Sequence, residues 1–199
     1  MRIAVMGAGN VGKALGEGWR STGNTVVYGV RDPEDSKYRD LKHVATVPAA
    51  LEGADVVVLA VPWKSAVEIA ADHLKTGNGP VIVDATNALF GPKPDDRSVA
   101  AAVANASGSD RVVKAFNTTG WENMADPEYP KGGRAMMPVA GDDRDAKRTV
   151  MDLAGQLGFE PIDAGGLENA GLLESLTSLW IALARGRYGR NIAFSLLRR

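Results

Sequence analysis

The residues Gly7-Ala8-Gly9-Asn10-Val11-Gly12 follow the spacing G-x-G-x-x-G, between an apolar run at Ile3 to Met6 and helical spacing over Asn10 to Ser21. In that setting the first glycine makes a tight turn, the second lets a diphosphate approach the backbone, and the third lets the helix pack on the strand. The first-turn N–H groups of such a helix have no partner within it and carry its positive end, so they can hold an anion. Gly7, Gly9, Asn10, Val11 and Gly12 therefore point to dinucleotide binding. The bland alternative is a strand-to-helix turn with incidental glycines.

Which dinucleotide binds is read about 20 residues further on, where an acid would accept from a ribose 2′-OH. The sequence there is Tyr28-Gly29-Val30-Arg31-Asp32-Pro33. The donor fork of Arg31 suits a 2′-phosphate, and Ser36 and Lys37 could reach the same group, so NADP(H) is the expected cofactor. The competing reading gives the ribose to Asp32 and leaves Arg31 as a solvated charge.

Three further strand ends should face the same cleft. In Ala60-Val61-Pro62-Trp63, Val61 and Pro62 would border the cofactor, while Trp63 either covers it or packs on its own sheet. Asp84-Ala85-Thr86-Asn87 and Lys114-Ala115-Phe116-Asn117-Thr118-Thr119 end in short polar side chains. Asn87 and Asn117 can fix a carboxamide or a ribose; otherwise such residues close turns on their own backbone. Lys114, inside an apolar run, either carries a functional charge or reaches out of the sheet end. Asn117 and Lys114 are the catalytic candidates. Carbonyl reduction needs a placed proton donor, and Tyr28, Tyr38, Tyr129, Tyr188, His43 and His73 all fall away from the expected nicotinamide end.

These residues need a scaffold. Apolar, β-branched runs recur at Ile3 to Met6, Thr25 to Tyr28, Asp55 to Val61, Pro80 to Asp84, Arg111 to Phe116, Ala135 to Ala140 and Phe159 to Ile162, with a short third strand expected near His43 to Thr46. Helical spacing fills Asn10 to Ser21, Trp63 to Leu74, Ser98 to Asn105 and Asp142 to Leu157. The alternation predicts an α/β doubly wound parallel sheet, the Rossmann arrangement, with ligands at the carboxyl ends of its strands. Asn87 to Arg97 and Asn123 to Arg134 read as loops. The domain expected over 1–166 is followed by a helical segment, 167–199, packing on it. In that segment Leu172, Leu173, Leu176, Leu179, Trp180 and Leu183 describe one amphipathic helix, Gly186 and Gly189 break it, and Asn191 to Leu197 form a last short one. Part of its apolar stripe either completes the core or faces a second subunit, making a homodimer. Arg185, Arg187, Arg190, Arg198 and Arg199 make the tail basic.

With 199 residues the chain can bury a substantial core, and a net charge of −1 gives no general attraction for nucleic acid. It has no Cys and only two His, which removes disulfides and thiol chemistry and makes a metal site unexpected. The N-terminal apolar run is too short for a signal peptide and no stretch is long enough to span a membrane, so a soluble, cytoplasmic protein is expected.

Taken together, Gly7 to Gly12, Gly29 to Pro33, Ala60 to Trp63, Asp84 to Asn87, Val113 to Thr118 and Asp163 to Ala170 resemble the NADPH-dependent deazaflavin (factor 420) reductases and their bacterial relatives described as NADP oxidoreductases. The same module is similar to the cytosolic domain of membrane metalloreductases, where the run at Lys114 to Thr118 recurs. The resemblance implies adenosine over Arg31, diphosphate over Gly9 to Val11, and nicotinamide between Val61, Pro62, Asn87 and Asn117, with a tricyclic acceptor stacked on it under the C-terminal helices. Archaeal members differ at Val30 and Asn117, which leaves the acceptor open between a deazaflavin and FMN or FAD. A flavin-like acceptor takes hydride without a dedicated proton donor, so positioning and stacking can suffice. The rival functions are an NADPH-dependent imine or small-carbonyl reductase and a non-catalytic NADPH sensor.

Overall fold

Alternate residues of the central strands pack on opposite faces, as period-two side-chain geometry requires. In the computed structural model, which describes residues 1–74, 79–89, 94, 96–129 and 133–199, Ile3, Val5, Val56 and Val58 fill one core, while Ala4, Met6, Val57 and Leu59 fill the other. Strands buried on both faces are a property of sheets covered by helices on each side.

The elements in chain order are β1 (Arg2–Met6), α1 (Asn10–Ser21), β2 (Thr25–Val30), β3 (Val44–Thr46), α2 (Val47–Leu51), β4 (Val56–Leu59), α3 (Trp63–His73), β5 (Val81–Asp84), α4 (Val99–Ser107), β6 (Val112–Lys114), α5 (Trp121–Ala125), β7 (Glu128–Tyr129), β8 (Gly133–Arg134), β9 (Met136–Gly141), α6 (Arg144–Gln156), β10 (Glu160–Asp163) and α7 (Ala170–Leu183). Among the described residues the main sheet has the order β10-β9-β6-β5-β4-β1-β2-β3, and β7 pairs with β8 in a separate ribbon. From β3 to β6 all neighbours are parallel. The order reverses direction beside β1, so the carboxyl ends of β1 and β4 flank the crevice where such sheets take ligands.

The sheet departs from the expected all-parallel arrangement at one edge. β9 runs antiparallel to β6, with Lys114 opposite Ala140, and β10 then follows β9 in parallel. The apolar run of β9 carries no mark of strand direction. Its orientation follows from the connection: α5 and the β7-β8 ribbon occupy the segment expected as a loop over Asn123 to Arg134. Residues 130–132 of that segment, and 90–93 and 95 of the other expected loop, lie outside the described residues.

The second correction concerns Asn191 to Leu197, which is not helical. Its carbonyls are taken by other elements: Ile192 O accepts from Asn123 Nδ2 at 2.9 Å and from Trp180 Nε1 at 2.7 Å, and Phe194 O accepts from the Met136 N–H at 2.8 Å. Without those carbonyls an i to i+4 ladder cannot close. The tail is instead an extended strap over α5 and α7, held also by Arg190, whose guanidinium makes two bonds to the Glu122 carboxylate, the longer at 3.0 Å. The turn before it, Ala184–Tyr188, kinks at Gly186 as expected.

Candidate functional site

The glycine turn sits where the sequence places it. Gly7 has φ +97°, and its N–H donates to Gly29 O at 2.9 Å, tying the turn to β2. A Cβ on Gly12 would stand 2.1 Å from Gly7 O, so only glycine lets α1 approach the turn this closely. A Cβ on Gly9 would meet nothing within 4 Å. Crowding within the protein therefore explains Gly12 but not Gly9, whose bareness opens the backbone to an approaching group. No side chain caps the N-terminus of α1 and no acid lies in its first turn. Exposed Asn10 and half-buried Val11 begin a helix whose leading N–H groups and positive end remain available to an anion. The residues present thus fit a dinucleotide diphosphate.

At the end of β2, Arg31 is exposed and has no hydrogen bond or ion pair among the described residues. Asp32 is engaged locally, its Oδ1 accepting from the Glu34 N–H at 3.1 Å. That turn is the ordinary task of an Asx residue. Ser36 and Lys37 lie on the following single-turn helix and are exposed, but Lys37 Nζ pairs with Asp35 Oδ2 at 2.7 Å. Their mutual bonding draws the Asp35 carboxyl below and the Lys37 ammonium above their usual values. On β2 itself Tyr28 is fully buried, its hydroxyl in the notch left by Gly16, and burial pushes its pKa to about 12.

Beyond β4, Val61 is half-buried, and exposed Pro62 immediately precedes α3. Trp63 packs against the core on the α3 side of the sheet, the alternative left open above.

The polar ends of β5 and β6 form one network. Asn87 borders a cavity of about 390 Å³ between the segment after β5 and α7, lined also by Arg97, Ser98, Glu174 and Ser178. Asn117 does not border it. Only 2% exposed, it stands behind Asn87, with Nδ2 donating to Asn87 Oδ1 at 3.0 Å. Asn117 Oδ1 and Thr86 Oγ1 are buried without a partner. Phe116, which turns the chain into Asn117, has φ 58°, a left-handed conformation costing about 1–2 kcal/mol for a residue with a Cβ. Its ring packs edge-on against Trp19 at 5.3 Å, and its N–H points at Met137 Sδ at 3.1 Å.

Lys114 does not reach out of the sheet end, one of the two readings that its place in an apolar run left open. Its side chain is fully buried, and Nζ donates to Asp84 Oδ2 at 2.8 Å and to Thr86 O at 2.5 Å, with Glu174 Oε1 at 3.3 Å. Two of the ammonium protons are donated to Asp84 and Thr86, and Glu174 adds an ion pair. The charge is enclosed. Glu174 also accepts from the Val99 N–H at 2.8 Å, so one carboxylate joins α7, α4 and β6. Glu174 and Thr177 were missed in the sequence; their signal is two polar residues at i, i+3 interrupting the leucine stripe of α7. Among the described residues no cluster of His, Asp and Glu could hold a metal ion, and no helix is long and apolar enough to cross a membrane.

With this geometry in view, comparisons with known proteins locate the chain. Residues 2–88 match the family described as NADP oxidoreductase, coenzyme F420-dependent. The chain is 30% identical to the F420-dependent NADP reductase of Methanothermobacter thermautotrophicus, over 92% of this chain and 89% of that protein. It is 29% identical to the metalloreductase STEAP3 of Rattus norvegicus over 88% of this chain, and spans 36% of that longer protein. A solved structure from Arthrobacter sp. FB24, described as a candidate F420-dependent NADP-reductase, superposes with a TM-score of 0.88 at 28% identity, covering 100% of both chains. With the identity to the Methanothermobacter reductase extending over nearly its whole length, the chain belongs to the F420-dependent NADP reductase family.

Proposed function

We propose that this protein transfers a hydride between NADPH and a deazaflavin or flavin acceptor. The observation that carries the reading is the uncapped N-terminus of α1 after open Gly9, together with an unpaired, exposed Arg31 at the end of the neighbouring strand β2. The first-turn N–H groups would hold the diphosphate and Arg31 the 2′-phosphate, with Ser36 beside it. Lys37, once free of Asp35, would add a second cation. Val61, Pro62 and Asn87 would border the nicotinamide, and the cavity beside Asn87 would take the acceptor. When bound, NADPH supplies the hydride and a tricyclic acceptor receives it.

The chain's own contribution is orientation and exclusion of water. Apposing two rings within van der Waals contact removes much of the entropic part of a bimolecular barrier. Lys114 donates to Asp84 and Thr86 and is ion-paired with Glu174, fully enclosed, which favours an acceptor that needs no proton from the protein over a carbonyl or an imine.

We further infer a cytoplasmic homodimer. Leu172 and Leu179 of α7 are 67% and 51% exposed, an apolar face of the kind that subunits cover. Leu179→Glu should then shift the protein to monomer in sedimentation. The reaction itself is tested by mixing NADPH with a deazaflavin, FMN and an imine in turn. Oxidation with either tricycle is expected, and turnover of the imine alone would replace the assignment.

A further inference from the structure

Asn117 is gripped from two sides. Its Nδ2 donates to Asn87 Oδ1 at 3.0 Å and to Thr177 Oγ1 at 3.1 Å. Its main-chain carbonyl accepts from the same two residues, from Asn87 Nδ2 at 3.1 Å and from Thr177 Oγ1 at 2.9 Å. Asn87 alone of the three borders the cavity, and Asn117 and Thr177 are buried behind it. The Thr177 hydroxyl also lies 3.0 Å from Leu173 O in its own helix. It has a single proton, so it serves that carbonyl only by releasing Asn117 O. Its oxygen accepts from Asn117 in either case.

An asparagine amide turns easily about its terminal torsion, which is broad rather than staggered. The Asn87 amide is fixed because both its oxygen and its nitrogen are bound to Asn117. Asn117 is fixed in turn because its other amide proton and other carbonyl lone pair engage Thr177. We propose that Thr177 of α7 is a positioning residue, which through Asn117 sets the orientation of the Asn87 amide and thereby of the nicotinamide, without touching the cofactor. The inference rests on the reading that the nicotinamide lies beside Asn87.

Thr177→Val keeps the shape and removes the hydroxyl, and Thr177→Ser keeps the hydroxyl. Each is titrated with NADPH and with 2′-phospho-ADP-ribose, which shares every part of the ligand except the nicotinamide. Thr177→Val should weaken NADPH about fivefold and lower kcat about tenfold, the scale of effect that small misplacements produce. The fragment should bind as to the unaltered protein, and Thr177→Ser should restore NADPH to within about twofold. Should Thr177→Val not fold, Asn117→Ala is expected to give the same selective loss. Equal weakening of NADPH and fragment, no weakening of either, or identical behaviour of the Val and Ser variants overturns the proposal. If the unaltered protein binds NADPH but passes no hydride to either tricycle, the proposed reaction falls, while the two titrations still decide the role of Thr177.

Discussion

Lys114 Nζ lies 2.8 Å from Asp84 Oδ2, and neither side chain is open to solvent. Asp84 spends its other oxygen on the Thr86 N–H at 2.9 Å, so the pair fixes the backbone that leads to Asn87. Removing one partner of a buried ion pair strands the other charge and costs about 3–5 kcal/mol. Lys114→Met should lower the unfolding free energy by that order in urea denaturation. The double variant Lys114→Met with Asp84→Leu should recover a large part of the loss. A double variant no more stable than the single one would show that the pair contributes through something other than compensated charge.

Arg31→Ala should weaken NADPH much more than NADH. A charge-assisted bond to a 2′-phosphate is worth about 1.5–3 kcal/mol, or roughly tenfold to a hundredfold in Kd. Calorimetric titration with both dinucleotides checks it, and equal effects on the two would remove Arg31 from the 2′-phosphate site.

Gly12→Ala places a methyl group 2.1 Å from Gly7 O, against backbone that cannot swing aside. The turn must open, so NADPH affinity should fall more than about tenfold, with a lower Tm. Gly9→Ala meets nothing within the protein. Its Tm should stay near that of the unaltered chain while NADPH binding falls, separating a glycine that serves packing from one that serves the ligand.

The strap should respond to acid. The Arg190 guanidinium bonded to Glu122 holds its carboxyl below the usual value of 4.5. A carboxyl with a lowered folded pKa stabilises the fold fully above its unfolded value, and this contribution is lost as pH falls through the folded one. The Tm of the unaltered protein should therefore drop more steeply below about pH 4.5 than that of Glu122→Gln. Parallel Tm curves would show that the pair contributes nothing to holding the strap.

What could be read from the sequence is what is decided locally. The strand, turn and helix from Arg2 to Ser21 fall where the glycine spacing and the apolar period put them, because each of those choices involves neighbours in the chain. Lys114 could not be interpreted in the same way. Its partners are 28 to 60 residues distant, and a lone lysine among valines looks the same whether it serves chemistry or an enclosed ion pair. The antiparallel entry of β9 and the extended strap are likewise outcomes of long-range hydrogen bonding. Ile192 and Phe194 have spacing that suits a helix until Asn123, Trp180 and Met136 claim their carbonyls.

Arg31 stands in solvent with no carboxylate paired to it among the described residues. Keeping the charge hydrated avoids the penalty of burying it, but leaves it open to counter-ions. The screening length shrinks from about 10 Å at 0.1 M salt to about 3 Å at 1 M. On the role proposed for Arg31, the choice between the phosphorylated and unphosphorylated dinucleotide would be tied to ionic strength, whereas the enclosed Lys114 cluster is shielded from it. Dissolved salt would blunt the protein's preference between coenzymes well before it disturbed the fold that expresses it.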